Sequence, residues 1–440
     1  MRFLRGPLLL VMVWAVFWSG IGAHAQTQTT LYDFTGGTDG GAPEAGLIVD
    51  GHGNLFGTAS GGGLFGGCLF GLGCGTVFEL SPAAGGGWTL TTIYTFQGGP
   101  DGADPTSTLL LDAAGNLFGE TLGGGGTAAT CSAVGCGTIF ELSPGIHGGW
   151  TKSTLHEFLG GQDGSAPNGG LTLDSAGNLY GTTIQGGGTC AATTSGCGTV
   201  FELVPVALGH WKEMTLHRFG ISSGDGYAPA GGVIFDPKGN LLGTTALGGS
   251  TTGGCGVGCG TVFQLTLSAE KWTESILHLF QGADGMNPVA GVIFNLSGSI
   301  CGTTFQGGAS QSGVVFALSP IAGGGWQFHL VHQFGAFAAG LSPRAGLVLD
   351  RLGNLYGAAE FGGNDVTQCT TSTTSGCGVV FELTATSFGW RYRGLYLFTG
   401  SSDGNYPAGT PVVDSSGNLF GTTIYRGQTV GTGTVFEIAQ

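Results

Sequence analysis

One short phrase, Gly-Asn-Leu-aromatic-Gly, recurs along this chain in five copies and two variants, Gly239-Asn240-Leu241-Leu242-Gly243 and Gly298-Ser299-Ile300-Cys301-Gly302, and most clearly as Gly53-Asn54-Leu55-Phe56-Gly57-Thr58 and Gly177-Asn178-Leu179-Tyr180-Gly181-Thr182. The copies centre on Asn54, Asn116, Asn178, Asn240, Ser299, Asn354 and Asn418, in steps of 62, 62, 62, 59, 55 and 64 residues. A period of that length, kept across a chain of 440 residues, demands one supersecondary unit stacked on itself rather than unrelated domains.

The second copy shows how a unit is built. Thr108 to Asp112 is a short apolar run, Ala113-Ala114-Gly115 turns the chain, and Asn116 to Thr121 is the next extended run. Asp-x-x-Gly-Asn between two β-rich runs signals a tight hairpin, because the Asp carboxylate accepts hydrogen bonds from backbone amides and Gly takes positive φ. Its counterparts Asp50, Asp174, Asp236, Asn295, Asp350 and Asp414 therefore read as turn caps rather than catalytic groups. A Gly-rich loop leads to a third run, Gly137 to Leu142, and Ser143-Pro144 with a Gly-rich turn leads to a fourth, Trp150 to Phe158. Simple alternation places Trp150, His156 and Phe158 on one face of that strand. The same spacing in Trp88/Tyr94/Phe96, Trp211/His217/Phe219, Trp272/His278/Phe280, Trp326/His332/Phe334 and Trp390/Tyr396/Phe398 predicts aromatic ribs between neighbouring sheets.

Seven four-stranded antiparallel sheets with apolar residues on both faces must bury each face against a neighbour. Radial repetition does so, which predicts an all-β, seven-bladed β-propeller. A β-solenoid is the competing architecture, and the termini separate the two. Leu31-Tyr32-Asp33-Phe34 matches the fourth-strand word Leu155-His156-Glu157-Phe158, while the last unit stops after its third-strand word Val435-Phe436-Glu437-Ile438. An N-terminal strand completing the last blade closes a ring and removes an exposed edge.

Residues 1–25 read as a secretory signal: Arg2 and Arg5, an apolar run from Pro7 to Phe17, and Ala23-His24-Ala25 before Gln26. The mature chain, 26–440, is then a single propeller domain with no membrane span and is expected to be monomeric. Of 12 basic residues, Arg2 and Arg5 go with the signal, leaving 10 against 27 acidic and a net charge of −17. That surface excludes nucleic acid, whose binding rests on cationic contacts to phosphate. Glycine and proline together make up 108 of 440 residues, near the level at which disorder is suspected. The strict placement of the 41% hydrophobic residues points instead to a turn-rich β fold.

Taken together, Asp-x-x-Gly-Asn-Leu-Tyr-Gly-Thr-Thr, a Gly-rich loop, Gly-Thr-Val-Phe-Glu-Leu, then Trp and Leu-Tyr-x-Phe resemble the GloVer tandem repeat over nearly all of the mature chain. The resemblance implies a bacterial protein outside the cytoplasm, of a group called "choice of anchor" for its varied surface-sorting tails, and it supplies no catalytic residues. Because the sequence runs to Gln440 directly after a strand word, secretion or periplasmic retention is expected rather than anchoring.

Ten of the eleven cysteines fall in pairs within single second-to-third-strand loops: Cys68/Cys74, Cys131/Cys136, Cys190/Cys197, Cys255/Cys259 and Cys369/Cys377. In an exported chain such pairs read as disulfides. Zinc calls for four converging Cys or His ligands, and these loops hold no His. Cys301 stands in a slot elsewhere taken by Phe, Tyr or Leu and reads as a buried free thiol.

The connections from each fourth strand to the next first strand carry Asp-Gly-x-x-Pro, at Asp39, Asp101, Asp163, Asp225, Asp284 and Asp403, and in an antiparallel blade they share a face with the cysteine loops. One connection departs, with Leu341-Ser342-Pro343-Arg344. The bland reading makes these aspartates turn residues. The sharper one makes them, with Arg344, a ligand-binding face for a polysaccharide or protein, with calcium as the one ion such carboxylates would suit and no other cofactor implied. Third-strand carboxylates such as Glu79, Glu141 and Glu202 repeat without singling out the two a glycosidase needs. One fourth-strand histidine per blade cannot gather with the others on a metal. The expectation is thus non-catalytic binding at or outside the cell envelope, against the alternative of a polysaccharide lyase or hydrolase using carboxylates on the Asp-rich face.

Overall fold

The computed structural model describes residues 26–440 apart from 65–67, 69–71, 127–130, 132–134, 147, 189, 191–194, 221–223, 253, 364–368, 370–375, 388, 428 and 430; the signal segment 1–25 lies outside the described residues. The chain forms seven antiparallel four-stranded blades, and among the described residues there is no α-helix. Blade 1 orders its strands Ile48–Val49, Leu55–Ala59, Thr76–Pro82 and Trp88–Thr95. The second strands of blades 2 to 7 are Leu117–Thr121, Leu179–Gln185, Leu241–Thr245, Ile300–Thr304, Leu355–Ala359 and Leu419–Thr423.

Each hairpin between first and second strands is held by its Asp, or in blade 5 by Asn295, as the repeat implied. Asp50 Oδ1 accepts the backbone N–H groups of His52 and Asn54 at 2.8 and 2.9 Å, and Oδ2 accepts the Asn54 side-chain amide at 2.9 Å. Gly53, at φ +85°, takes the left-handed turn position that side chains avoid. The second glycine of the phrase is there for space. A Cβ on Gly57 would sit 2.6 Å from Cζ of Phe78, and the other six copies leave between 2.5 and 2.6 Å to the equivalent third-strand phenylalanine. The phrase therefore couples a turn to a hole that receives one aromatic ring.

That ring is the hub of each blade interface. The fourth-strand phenylalanine of every blade meets the third-strand phenylalanine of the next edge to face, with centroids 5.0 to 5.3 Å apart: Phe96–Phe140, Phe158–Phe201, Phe219–Phe263, Phe280–Phe316, Phe334–Phe381, Phe398–Phe436 and Phe34–Phe78. All are buried, and the seven contacts account for the seven separate hydrophobic clusters between blades.

The expectation that the Trp shares a face with the His and Phe of its strand is corrected. Between third and fourth strands the register slips by one residue in all seven blades, as between Val77 and Phe78 opposite Tyr94 and Thr92. A bulge of this kind reverses side-chain parity beyond it. Blades 1 to 6 thus present their Trp to the blade before and their Phe to the blade after, as where Trp150 packs on Phe56 at 6.2 Å while Phe158 packs on Phe201; the fourth strand of blade 7, Gln28–Phe34, carries the Phe without a Trp.

The ring closes through the N-terminus. Gln28–Phe34 pairs with Gly433–Ile438, from Gln28↔Ile438 to Phe34↔Gly433, as the fourth strand of blade 7. The strand begins three residues before the Leu31 expected from the repeat word.

Candidate functional site

Fourth-to-first connections and the ends of second strands meet on one face, bridged for example at Gly41↔Gly61 and Ala103↔Gly123. The residue before proline in every connection sits in the left-handed region: Ala42, Asp104, Ala166, Ala228, Asn287, Ser342 and Tyr406, at φ +49° to +60°. Such a conformation persists only where the surroundings enforce it. Here both backbone groups are held. Asp104 N–H donates to the Cys74 carbonyl at 3.1 Å, and its own carbonyl accepts from Leu122 N–H at 2.9 Å. The same first bond runs from Ala166 to Cys136, Ala228 to Cys197, Asn287 to Cys259 and Tyr406 to Cys377.

The five expected disulfides are present, with Cα atoms 4.9 to 5.4 Å apart. In each, the second cysteine holds the next blade's connection through its carbonyl, so the cross-links brace the face rather than merely shorten loops. Cys301 is free and fully buried, its thiol pushed up to about 12 by burial.

Five of the six aspartates accept a backbone N–H of their own loops. Asp101 accepts Gln97 N–H at 2.8 Å and the Tyr94 hydroxyl at 2.7 Å. Asp403 accepts Thr399 N–H at 2.7 Å and the Tyr396 hydroxyl at 2.9 Å. Asp39 does the same with Thr35 N–H and Tyr32, Asp163 accepts Leu159 N–H, and Asp284 accepts Gln281 N–H with His278 Nε2 at 2.9 Å. Asp225 lies 4.0 Å from His217. Each belongs to a separate blade interface, which the structure does not bring together into one site; the Tyr or His partners were not foreseen.

What the connections do bring together is the next stretch of chain. Immediately after each proline stand Glu44, Thr106, Asn168, Ala230, Val289, Arg344 and Ala408, and all seven line one central cavity of about 130 Å³. Second-strand threonines pin this inner ring from blade to blade: Thr182 donates to Gly231 O at 3.1 Å, Thr244 to Ala290 O at 2.8 Å, Thr303 to Ala345 O at 2.9 Å, and Thr422 to Ala45 O at 2.8 Å across the closure. In blade 2 the threonine is replaced by Glu120, fully buried, whose Oε2 accepts Gly170 N–H at 2.8 Å. Burial pushes its carboxyl up to about 7, against the lowering influence of Gly170 and the Ser107 hydroxyl.

The mouth of this channel is markedly asymmetric. Arg344, with 44% of its side chain exposed, reaches Glu44 at 3.7 Å and Glu360 at 4.0 Å. Ser60 donates to Glu44 at 3.3 Å. Burial raises the Glu360 carboxyl, which Arg344 lowers and Glu44 raises in turn. Tyr406 and Tyr425 stand edge to face at 5.8 Å, and Phe361 meets Tyr406 at 5.3 Å. Burial raises both tyrosine hydroxyls, and carboxylates raise them further: Glu360 that of Tyr406, and Glu44 with Glu360 that of Tyr425, where Arg344 works the other way. Arg344 was singled out by the broken Asp-Gly-x-x-Pro word. Glu44, Glu360, Tyr406 and Tyr425 were missed, although aligning the residues beside each proline and after each second strand exposes them as departures.

A family model described as Gloeobacter/Verrucomicrobia repeat matches residues 20–194 and 249–440. The chain belongs to this family. No curated protein matches its sequence. Among solved structures, an ancestral GH74 enzyme is similar with a TM-score of 0.56 at 10% identity, covering 93% of this chain and 48% of that one. A protein from Lactobacillus plantarum (TM-score 0.47, 13% identity, covering 85% and 98%) and a gluconolactonase from Xanthomonas campestris (0.40, 14%, 77% and 87%) are also similar. At these identities the likeness to the GH74 enzyme shows the propeller fold alone. Among the described residues no helix is long and apolar enough to cross a membrane.

Proposed function

We propose that this Gloeobacter/Verrucomicrobia repeat protein is an exported binding scaffold that holds an extracellular polysaccharide at the channel mouth, through Arg344, Glu44 and Glu360 with Tyr406 and Tyr425 beside them. The carrying observation is the broken symmetry. Six connections carry the Asp-Gly-x-x-Pro word, and in five of them the Asp accepts a backbone N–H of its own loop, while the seventh puts a half-exposed guanidinium between two carboxylates beside two aromatic rings. A guanidinium supplies fixed donors, carboxylates supply acceptors, and aromatic rings supply an apolar platform, which together match the hydroxyl-rich edges and C–H faces of a sugar chain. Backbone bonds hold the connections of that set before a ligand arrives, Ser342 N–H on Ser312 O at 2.8 Å beside Arg344, Ala42 N–H on Thr432 O at 3.3 Å beside Glu44 and Tyr406 N–H on the disulfide-bonded Cys377 carbonyl at 2.8 Å, which lowers the ordering needed on binding.

One observation favours the hydrolytic alternative. Glu360 is held above its ordinary value with a second carboxylate, Glu44, on the same guanidinium, and two carboxylates with divided roles are what glycoside hydrolysis uses. Exposing the exported protein to a glycan array with and without calcium, and assaying retained polysaccharides for reducing ends, separates the readings. Retention without cleavage supports the scaffold, cleavage replaces it with the enzyme, and no retention overturns polysaccharide binding.

A further inference from the structure

We infer that the outer interface between blades 3 and 4 is a binding site for a divalent transition-metal ion of the zinc type, with His217, Asp225 and Glu274 as its ligands. The site follows from how the bulged fourth strands meet. Past the bulge, each strand's Tyr or His turns toward the following blade, beside the Asp of its connection in every blade but the fifth, whose connection has none. The following blade answers with the side chain two residues after its Trp.

That third position varies around the ring. At the interface of blades 1 and 2 it is Lys152, whose ammonium bonds Asp101 Oδ1 at 2.9 Å and stands 5.8 Å from the centroid of the Tyr94 ring. At blades 4 and 5 it is Phe328, stacked on His278 at 4.3 Å, and at blades 5 and 6 it is Tyr392, stacked on His332 at 4.2 Å. These three niches are filled by a cation or by a ring. At blades 3 and 4 the position is Glu274, with its Oε2 3.7 Å from His217 Nε2, which is itself 4.0 Å from Asp225 Oδ2.

One ligand atom from each of the three residues lies within 4.8 Å of the others, closer than in any other His, Cys, Asp and Glu trio among the described residues. His217 Nε2 and Glu274 Oε1 are buried without a hydrogen-bond partner. The neighbouring interface explains why this niche differs from its nearest likeness, His156, Asp163 and Glu213. There the Thr215 hydroxyl donates to Glu213 at 3.0 Å, whereas blade 4 has Ile276 at that place and leaves Glu274 facing the pair.

A cation in this niche would stand where the Lys152 ammonium stands one interface earlier but one, so the fold already accommodates positive charge beside the connection Asp. Ligand separations of 3.7 and 4.0 Å, with all three atoms within 4.8 Å of one another, contract by about 0.4 and 0.7 Å on those two edges to reach the edge of about 3.3 Å that Zn–N and Zn–O bonds of about 2.0 to 2.1 Å give a tetrahedron. The imidazole selects against calcium, which takes oxygen ligands, and toward zinc and its neighbours. Three protein ligands leave a coordination position for water.

Untagged mature protein, freed of metal by chelation, is titrated with ZnCl2 by calorimetry. One equivalent should bind saturably, and cobalt(II) at the same site should give visible d–d bands. Glu274→Lys places an ammonium as in blade 2 and should abolish the zinc isotherm with the circular dichroism of the fold unchanged. His217→Tyr, which copies the residue of blade 1, serves as the second variant and should weaken binding at least tenfold. Absence of a saturable isotherm, or undiminished binding by either folded variant, overturns the site, and loss of the equivalent in Glu213→Gln moves it to the neighbouring niche.

Discussion

The N-terminal strand makes the sharpest test of the architecture, because closure predicts that seven interfaces are energetically alike although one of them joins the two ends of the chain. Phe34 is 2% exposed and meets Phe78 at 5.0 Å; Phe96, within a single continuous stretch of chain, is 0% exposed and meets Phe140 at 5.2 Å. Truncating either to alanine removes a buried ring from an edge-to-face pair and leaves a cavity, which costs about 3 to 5 kcal/mol. The two costs should agree within about 1 kcal/mol, since burial and pairing geometry are the same. Equilibrium urea unfolding of the two variants beside wild type, followed by tryptophan fluorescence, measures both midpoints on one scale. A Phe34→Ala variant with a near-native midpoint, beside a strongly destabilised Phe96→Ala, would refute closure by showing that the first strand is a loosely attached end.

Gly57→Ala keeps every hydrogen bond of its strand yet places a methyl 2.6 Å from the Phe78 ring, so overpacking should cost about 1 to 3 kcal/mol, read from the same unfolding curves; a neutral change would refute the steric role of the phrase's second glycine. Glu120 carries a carboxyl at about 7 in the fold against 4.5 ordinarily. Protons are lost first from the unfolded chain, so stability falls as pH rises from 4.5 to 7 and is flat above, by on the order of 3 kcal/mol at most. Glu120→Gln should remove that slope and be the more stable protein at pH 8, and an unchanged pH profile would count against the buried carboxyl. Alkylation without reductant should modify no cysteine in the folded protein and one, Cys301, after unfolding; any greater number contradicts the disulfide set.

Much of the fold was legible because it is written locally. The Asp50-to-Asn54 turn, the paired cysteines and the match between Leu31–Phe34 and later fourth strands each need only a short window of sequence. The reversal of Trp150 relative to Phe158 was not legible, since it depends on a register slip against the neighbouring strand rather than on spacing within the strand. The same slip hid the cross-blade partners: Glu274 belongs to His217 only because a bulge turns the histidine away from its own Trp. The site was half legible. Arg344 stood out by breaking a repeated word, but its partner Glu44 lies at the other end of the chain and becomes its neighbour only when the ring closes. The aspartates drew attention by repetition, and in five of the six connections that repetition marks a bond to the loop's own backbone.

On the proposed function, the broken symmetry at the channel mouth, not the repeated aspartates, holds the ligand. The most direct measurement is the affinity of a polysaccharide retained by wild type, determined by calorimetry for wild type and Arg344→Ala. Removing a half-exposed guanidinium that two carboxylates hold in place should leave the fold intact and weaken binding at least tenfold, about 1.4 kcal/mol. Equal affinity in the two proteins would contradict the claim and return the search to the rest of the loop face.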